Sequence, residues 1–461
     1  MSKRLVPVAA LFFALAPAHA ADACAVKQFR WMEDCRALAK APPAEDPLLR
    51  LRYVPLDADG DVWLTLGGEY RFKMETLDEP SYGLRPTPDF TVFDHRLYVH
   101  ADLRTAAGSR LFVQLSAVDE RGQKPFDRPF DESALDIAQA FVDLPLERDG
   151  TTFTLRVGRQ ELSIGQNRLV ATRDAANLRR AFDMAKLDAK FGEFTLAGFA
   201  GRPVRNRPGW FDDKTDQSEA FGGAALNWTP KTDAGDFTAD AFLLRRERDR
   251  AVYQQGIGAE ARNVAGIRLA RSIGAWDGAA QASYQWGDFR TADRIGAFGV
   301  AGELGYRIGD WPWTPRIGAS FGYASGDDKP TDRTLQTFDV LYPNLSYFTD
   351  APVYYPGNSA DFEPSITLTP SPELTLQAGA DVIFRLSNRD AVYEPPGIPL
   401  VPGVGQGGTH TTTLAFIKAK WRAADHVELG AGYVHGFAGD VIASAGGEDF
   451  DYGLLQATLN F

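Results

Sequence analysis

TTFTLRVGRQELSIGQNRLVATRDAANLRRAFDMAKLDAK, Thr151 to Lys190, is the stretch on which the reading of the fold turns. Phe153, Leu155 and Val157 alternate with Thr154, Arg156 and Gly158, and Ala185, Leu187 and Ala189 alternate with Lys186, Asp188 and Lys190. A period of two marks a strand with one face against apolar surroundings. Between the two runs lies a polar loop, 161–181, that gathers Arg168, Arg173, Arg179 and Arg180 against Glu161 and Asp174, with Arg159 and Asp183 at its ends. A solvated surface loop has this composition, and so does a site for anions.

Outward from this stretch the pattern repeats. Eighteen segments, the first 62–75 and the last 450–461, carry enough alternation or β-rich composition to be strands. Their number is even, as a single-chain bacterial outer-membrane barrel requires. Links after odd-numbered strands are long (76–90, 120–134, 161–181, 202–216, 247–259, 288–295, 325–360, 386–409 and 436–449), whereas links after even ones are short, as at 106–108, Gly192, 272–275, 370–373 and 423–425. Long extracellular loops and tight periplasmic turns are the barrel layout; a soluble sandwich or propeller has no reason to sort loop length by parity.

The faces agree. In the first strand Leu64, Leu66, Tyr70, Phe72 and Met74 share one side, and Thr65, Glu69, Arg71, Lys73 and Glu75 the other. The second puts Leu97, Val99, Ala101 and Leu103 outward, with Asp94, Arg96, Tyr98, His100, Asp102 and Arg104 inward. Trp63, Trp228, Trp286, Trp311, Trp313 and Trp421 fall near strand ends, where interfacial girdles lie. The predicted fold class is all-β, a transmembrane antiparallel barrel of about 18 strands over residues 61–461, preceded by a short N-terminal periplasmic arm.

Gly158-Arg159-Gln160-Glu161-Leu162, Gly165, Arg168-Leu169, Asn177, Arg180 and Phe182-Asp183 carry a resemblance to the alginate export family of outer-membrane porins, and Leu56 to Glu75 is similar to that family's opening strand. The resemblance implies a large channel barrel and, among cargoes, an acidic polysaccharide such as alginate. Family members that export long acidic polymers are expected to have a strongly basic lumen and an elongated late periplasmic turn acting as a plug. That turn is only Ala423-Ala424-Asp425 here, so any gate is expected to be extracellular or to come from the N-terminal arm.

Lys3 and Arg4 precede the apolar run Leu5–Pro17, and Ala18-His19-Ala20 supplies a cleavage site, so residues 1–20 read as a secretory signal. The apolar run is too short for a transmembrane helix, which needs roughly 20 residues. The expected location is the outer membrane of a Gram-negative bacterium, with outer-membrane lipid and lipopolysaccharide as surroundings. Cys24 and Cys35 follow the cleavage site in an oxidising compartment and are expected to form a disulfide within a periplasmic arm spanning 21–60. With 49 Lys+Arg against 61 Asp+Glu the chain carries a net charge of −12, which argues against nucleic acid as a partner.

No catalytic constellation emerges. Gly318-Ala319-Ser320-Phe321-Gly322 matches the nucleophile-elbow string but lies inside a strand with no helix after it, and the histidines form no zinc motif. Asp57, Asp59 and Asp61 lack the glutamate that closes a calcium loop. The expectation is a channel that is not an enzyme and needs neither cofactor nor metal. Its pore-lining, anion-selective candidates are Arg71, Arg96, Arg104, Arg307, Arg316 and Arg385 on strands, with Arg159, Arg168, Arg179 and Arg180 in or beside the loop, if that loop turns inward. Acidic glycans and small anionic solutes are the expected cargoes, uptake of small organic acids is the competing transport reading, and periplasmic export proteins are a further partner class. An aromatic-rich loop, 325–360, is expected to pack over or into the extracellular mouth as a lid.

Overall fold

Alternating apolar and polar residues become eighteen antiparallel strands closed into one barrel in the computed structural model, which describes residues 24–40, 46–122, 130–232, 235–290, 293–344, 346–403 and 407–461. The signal segment 1–20 lies outside the described residues. In chain order the strands are β1 (Val62–Leu77), β2 (Phe90–Thr105), β3 (Arg110–Gly122), β4 (Ser133–Arg148), β5 (Thr151–Gln160), β6 (Phe182–Phe191), β7 (Phe194–Arg205), β8 (Glu219–Trp228) and β9 (Phe237–Tyr253). They continue as β10 (Gly256–Ile273), β11 (Trp276–Phe289), β12 (Asp293–Arg307), β13 (Arg316–Ala324), β14 (Ser359–Ser371), β15 (Leu374–Arg385), β16 (His410–Ala424), β17 (Val427–Ala438) and β18 (Phe450–Asn460). Each pairs with the next, and β18 returns to β1 in a register running from Glu69↔Asn460 to Leu77↔Tyr452. Closure leaves the backbone hydrogen-bonded within the sheet, which a bilayer demands.

The seam has its own solution where β18 stops short of β1. Gly68 and Phe461 exchange backbone hydrogen bonds of 2.7 and 3.0 Å. The terminal ring covers Gly68 so closely that a Cβ there would stand 2.4 Å from a ring carbon. Beyond it, Val54–Pro55 of the arm pair with Leu64 and Trp63 and continue the sheet along the otherwise bare edge.

Polarity is inverted relative to a water-soluble protein. Leu146, Ile417, Ile267 and Ile317 are 56–61% exposed on the outer wall, while Arg96, Arg246 and Arg262 are among the most deeply buried side chains. A contiguous apolar exterior of this extent would be an aggregation surface in water; a bilayer solvates it. Trp228, Trp311, Trp313 and Trp421 ring the tight-turn rim and are exposed, as expected of a girdle. Trp63 departs from that expectation. It shares the inward parity of Thr65 and Glu69, is buried, and stacks on Tyr53 of the arm at 6.1 Å.

Loop length follows parity with two exceptions. Expected loop 247–259 is strand almost throughout: β9 and β10 meet in a hairpin at Gln254-Gln255, because its charges alternate and the inward Arg248 pairs with Glu260 on the adjacent strand and with Asp339 of loop 325–358. Expected loop 288–295 is likewise largely strand, with β11 reaching Phe289 and β12 starting at Asp293.

The arm, expected outside the barrel, is instead inside it at the tight-turn end. Cys24 and Cys35 are joined by a disulfide with Cα atoms 4.7 Å apart. Arg30, 2% exposed, donates to the carbonyls of Gly68 and Phe461 and to Asn460 Oδ1, each at 3.0 Å. Glu33 bridges Arg30 (2.8 Å) and Arg52 (2.5 Å). From the wall, Arg104 donates to the Glu33 carbonyl at 2.6 Å, and the Arg156 guanidinium lies 4.4 Å from the Trp31 ring centroid. The inward arginines near this rim need partners once withdrawn from bulk water, and the arm supplies them.

Candidate permeation site

Loop 161–181 leaves β5 and crosses the lumen. Its apolar residues Leu162, Ile164, Leu169 and Val170 are buried in one cluster with Phe182, Phe221 and Tyr342, which keeps the loop from standing out in water. Two carbonyl acceptors tie it to loop 325–358: Ala171 N donates to Tyr342 O at 3.0 Å and Tyr342 N to Leu169 O at 3.1 Å. At the far wall Asn177 Nδ2 reaches three backbone carbonyls, those of His95, Asp119 and Asp131, at 3.1–3.3 Å. Tyr98 Oη accepts from Arg179 N at 3.0 Å. The loop is therefore a bar fixed at both sides.

Around the tip of this bar the basic side chains converge. Arg71 donates to the carbonyls of Asp174 and Ala176, both at 2.7 Å, and makes no ion pair among the described residues. Lys73 donates to Ala175 O at 2.9 Å and pairs with Glu75 and Asp94. Arg96 pairs with Glu69 (2.5 Å) and Asp174 (3.1 Å), and Arg179 with Asp174 (2.6 Å). These groups line an open cavity of about 770 Å³ together with Lys418, Lys420, Glu428 and Gln456 of the neighbouring strands β16 to β18. Val26–Gln28 of the arm bound it toward the tight-turn rim, and Ser346 and Asp350 toward the long-loop rim. Carbonyl and carboxylate acceptors hold Arg71, Lys73, Arg96 and Arg179 in place on the cavity wall, with 2–7% of each residue open to the lumen.

The other predicted arginines are distributed along the structure rather than gathered here. Arg168 projects from the bar toward the opposite wall, beside Asp361 and Tyr347. Arg180 is packed between the two loops, donating to Ala171 O and Pro343 O and lying 5.2 Å from the Tyr342 ring centroid. Arg385 holds the Gly407 and Gly408 carbonyls at the base of loop 386–409. Arg104 is covered by the arm, Arg316 pairs with Asp277 at the tight-turn rim, and Arg307 is its exposed neighbour there. Arg159 does not line the pore. It shares the parity of Leu155 and Val157 on the outer face and pairs with its cross-strand neighbour Asp183 at 2.9 Å. Continuing the β5 alternation two residues past Val157 would have placed it there.

Lys418, Lys420 and Asp350 belong to the site although sequence reasoning did not single them out, and Lys73, on the polar face of the first strand, joins them. Lys418 and Lys420 alternate with Ile417 and Trp421, so inward parity was the available signal. Asp136, Asp212 and Asp213 are a trio of described carboxylates within 4.8 Å of one another, with Arg159 3.8 Å from Asp136.

Titration of the loops has a readable sign. Burial would raise the Asp174 carboxyl, but Arg179, Arg96 and Arg71 outweigh it and hold it well below the usual carboxylate range. Glu161, fully enclosed and 3.9 Å from Arg179, goes the other way: burial wins and pushes it up to about 7. Burial likewise pushes Asp327, at the root of the second loop, up to about 6. A carboxyl raised on packing stabilises the packed loop when protonated, fully so below its ordinary value, and that contribution is lost as pH rises through the raised value. Open-channel current in planar bilayers should therefore be quietest near pH 5 and noisier at pH 8. Glu161→Gln should remove most of the difference, and equal noise at both pH values would contradict the assignment.

The Alginate export family model matches residues 62–455. Among solved structures the chain is similar to OccK2 (OpdF) of Pseudomonas aeruginosa (12% identity, TM-score 0.54, covering 90% of this chain and 99% of that one). It is similar also to the outer membrane protein OpdK (11%, 0.55, 86% and 98%) and to OccK5 (OpdH) (13%, 0.54, 86% and 98%) of the same organism. No curated protein matches the chain in sequence.

Proposed function

Because the chain belongs to the alginate export family and folds as an outer-membrane porin, we propose that it passes small carboxylate-bearing solutes, one or two uronate units in size, by diffusion. The observation that carries this is the convergence of Arg71, Lys73, Arg96 and Arg179 on one water-accessible cavity of about 770 Å³. That volume is of the order that encloses a small organic ligand, and Arg offers carboxylates a planar two-pronged contact. Two structural neighbours were solved with small carboxylates, OccK2 with glucuronate and OpdK with vanillate, which supports the same substrate class. An acidic polysaccharide such as alginate is favoured by the family alone. A polymer would have to pass Val26–Gln28, so that reading requires the arm to leave the lumen.

Liposome swelling tests the proposal. Vesicles holding the full chain should swell faster in sodium glucuronate than in glucose, and Arg71→Ala should reduce that ratio roughly threefold by thinning the positive field at the bar. Equal swelling in both solutes would overturn it.

A further inference from the structure

The lumen has a second charged wall that the basic cluster does not use. On β12 to β15, Glu303 stands opposite Ser320, and Ser320 opposite Glu363. Asp381 comes beside Glu363, in the interval between the pairs Phe362↔Val382 and Ser365↔Gly379. Asp361, opposite Gly322, is the adjacent inward position of β14. Neighbours of the other parity, Phe362, Ile366, Leu304 and Phe384, are the exposed lipid-facing residues, so all four carboxylates face inward.

On the basic side nearly every charge has a partner, as with Arg96 and Glu69 or Arg179 and Asp174. On this side none of the four carboxylates forms an ion pair among the described residues. Arg168 of the bar lies beside Asp361 at the edge of this wall. Asp381 is 1% exposed, and its Oδ1 is withdrawn from solvent with no donor in reach. An enclosed carboxylate oxygen without a hydrogen bond, next to further carboxylates, is strongly unfavourable unless a positive charge joins it.

We propose that Asp381 and Glu363, side by side on β15 and β14, form a cation site in the lumen, facing the basic bar. The ligand is a hard cation or a cationic group bound by carboxylate oxygens. It has two sources: a divalent metal ion accompanying an acidic solute, or the ammonium group of a solute that carries both charges. The site is separate from the basic cluster, so the swelling ratio for glucuronate can fail without touching it.

Planar-bilayer recording of the full chain in a KCl gradient separates the outcomes. With CaCl2 added at about 1–10 mM, the range of weak calcium sites, single-channel conductance should fall roughly twofold and the reversal potential should move toward anion preference. Ethylenediammonium chloride is the second arm. A response to calcium alone supports the metal source, and a response to the diammonium alone supports the solute source. The double variant Glu363→Gln, Asp381→Asn should show the anion-shifted potential without additions and respond to neither probe. Glu363→Gln alone, at a half-buried position, gives the same reading in reduced size if the double variant fails to fold, which the gel shift between boiled and unboiled protein reports. An intact channel that responds to neither probe, or responds just as the variant does, overturns the proposal. So does a conductance that changes only with pH, since a proton is then the occupant.

Discussion

Replacing Lys329–Pro356 with a short Gly-Ser turn should raise single-channel conductance roughly two- to fivefold, because the removed segment fills the long-loop half of the lumen. The segment is built into the wall. Phe338, Tyr342, Tyr354 and Tyr355 are 2–5% exposed and belong to the two large apolar clusters inside the barrel. Its anchor is Asp339, which takes Arg246 (3.0 Å), Arg248 (2.8 Å) and Tyr253 Oη (2.8 Å) on one oxygen, while Gln285 donates to its backbone carbonyl at 2.6 Å. Asp339→Asn tests that anchor separately. It leaves Arg246, Arg248 and Arg262 with Glu260 as their remaining carboxylate, and breaking a buried charge cluster in this way costs about 3–5 kcal/mol. The loop should then fluctuate, giving an intermediate conductance with large current noise. Deletion also uncovers Arg180, whose partners Pro343 O and the Tyr342 ring go with the loop, so any change in selectivity should be toward anions. Unchanged conductance would mean that the segment does not obstruct permeation. A move toward cations would mean that the anion filter lies in the segment itself and not at Arg71 and Arg96.

What was legible in the sequence is the part set by neighbours two residues apart. Alternation placed Arg71, Arg96 and Asp102 inward and Leu97 outward, and the sorting of loop lengths by parity foretold a closed barrel. It also covered Arg159, which continues the outward set of β5 yet was grouped with the loop arginines because of the charges that follow it. The destinations of the loops and arm were not legible in this way. Asp339 meets Arg246 across 93 residues, and Arg30 meets Asn460 across 430. Local pattern carries no information about such pairs. The charged run 247–250 reads as a loop because alternating charge is also the composition of a solvated segment. Glu260 on the adjacent strand and Asp339 on loop 325–358 are the carboxylates that hold Arg248 inward.

Deleting Ala21–Lys40 should open the channel from the other end, with a conductance increase roughly comparable to that of the loop deletion. The arm bounds the cavity at Val26–Gln28, and Arg179 donates to Gln28 O at 3.1 Å, so arm and bar touch across the lumen. Holding it are Arg30 on the closing seam, Glu33 between Arg30 and Arg52, and Trp31 under Arg156. Val54–Pro55 remain in the deleted protein and still cover the β1 edge, and the eighteen strand pairings include nothing from residues 24–40. The barrel should therefore keep its gel shift between boiled and unboiled states. Point changes grade the effect. Arg30→Ala removes the three contacts to Gly68, Asn460 and Phe461 and leaves Glu33 with Arg52, so the arm should detach in part and the channel should flicker between two current levels. Reduction of Cys24–Cys35 leaves those contacts in place and only loosens the loop that closes between residues 24 and 35. It should produce a smaller rise than Arg30→Ala, by the general rule that a cross-link over a short loop restricts few conformations. The ordering to look for is deletion above Arg30→Ala above reduction. If the deleted protein conducts like the intact one, the arm is beside the path and not in it, and no displacement of it would be needed for even a polymer to pass.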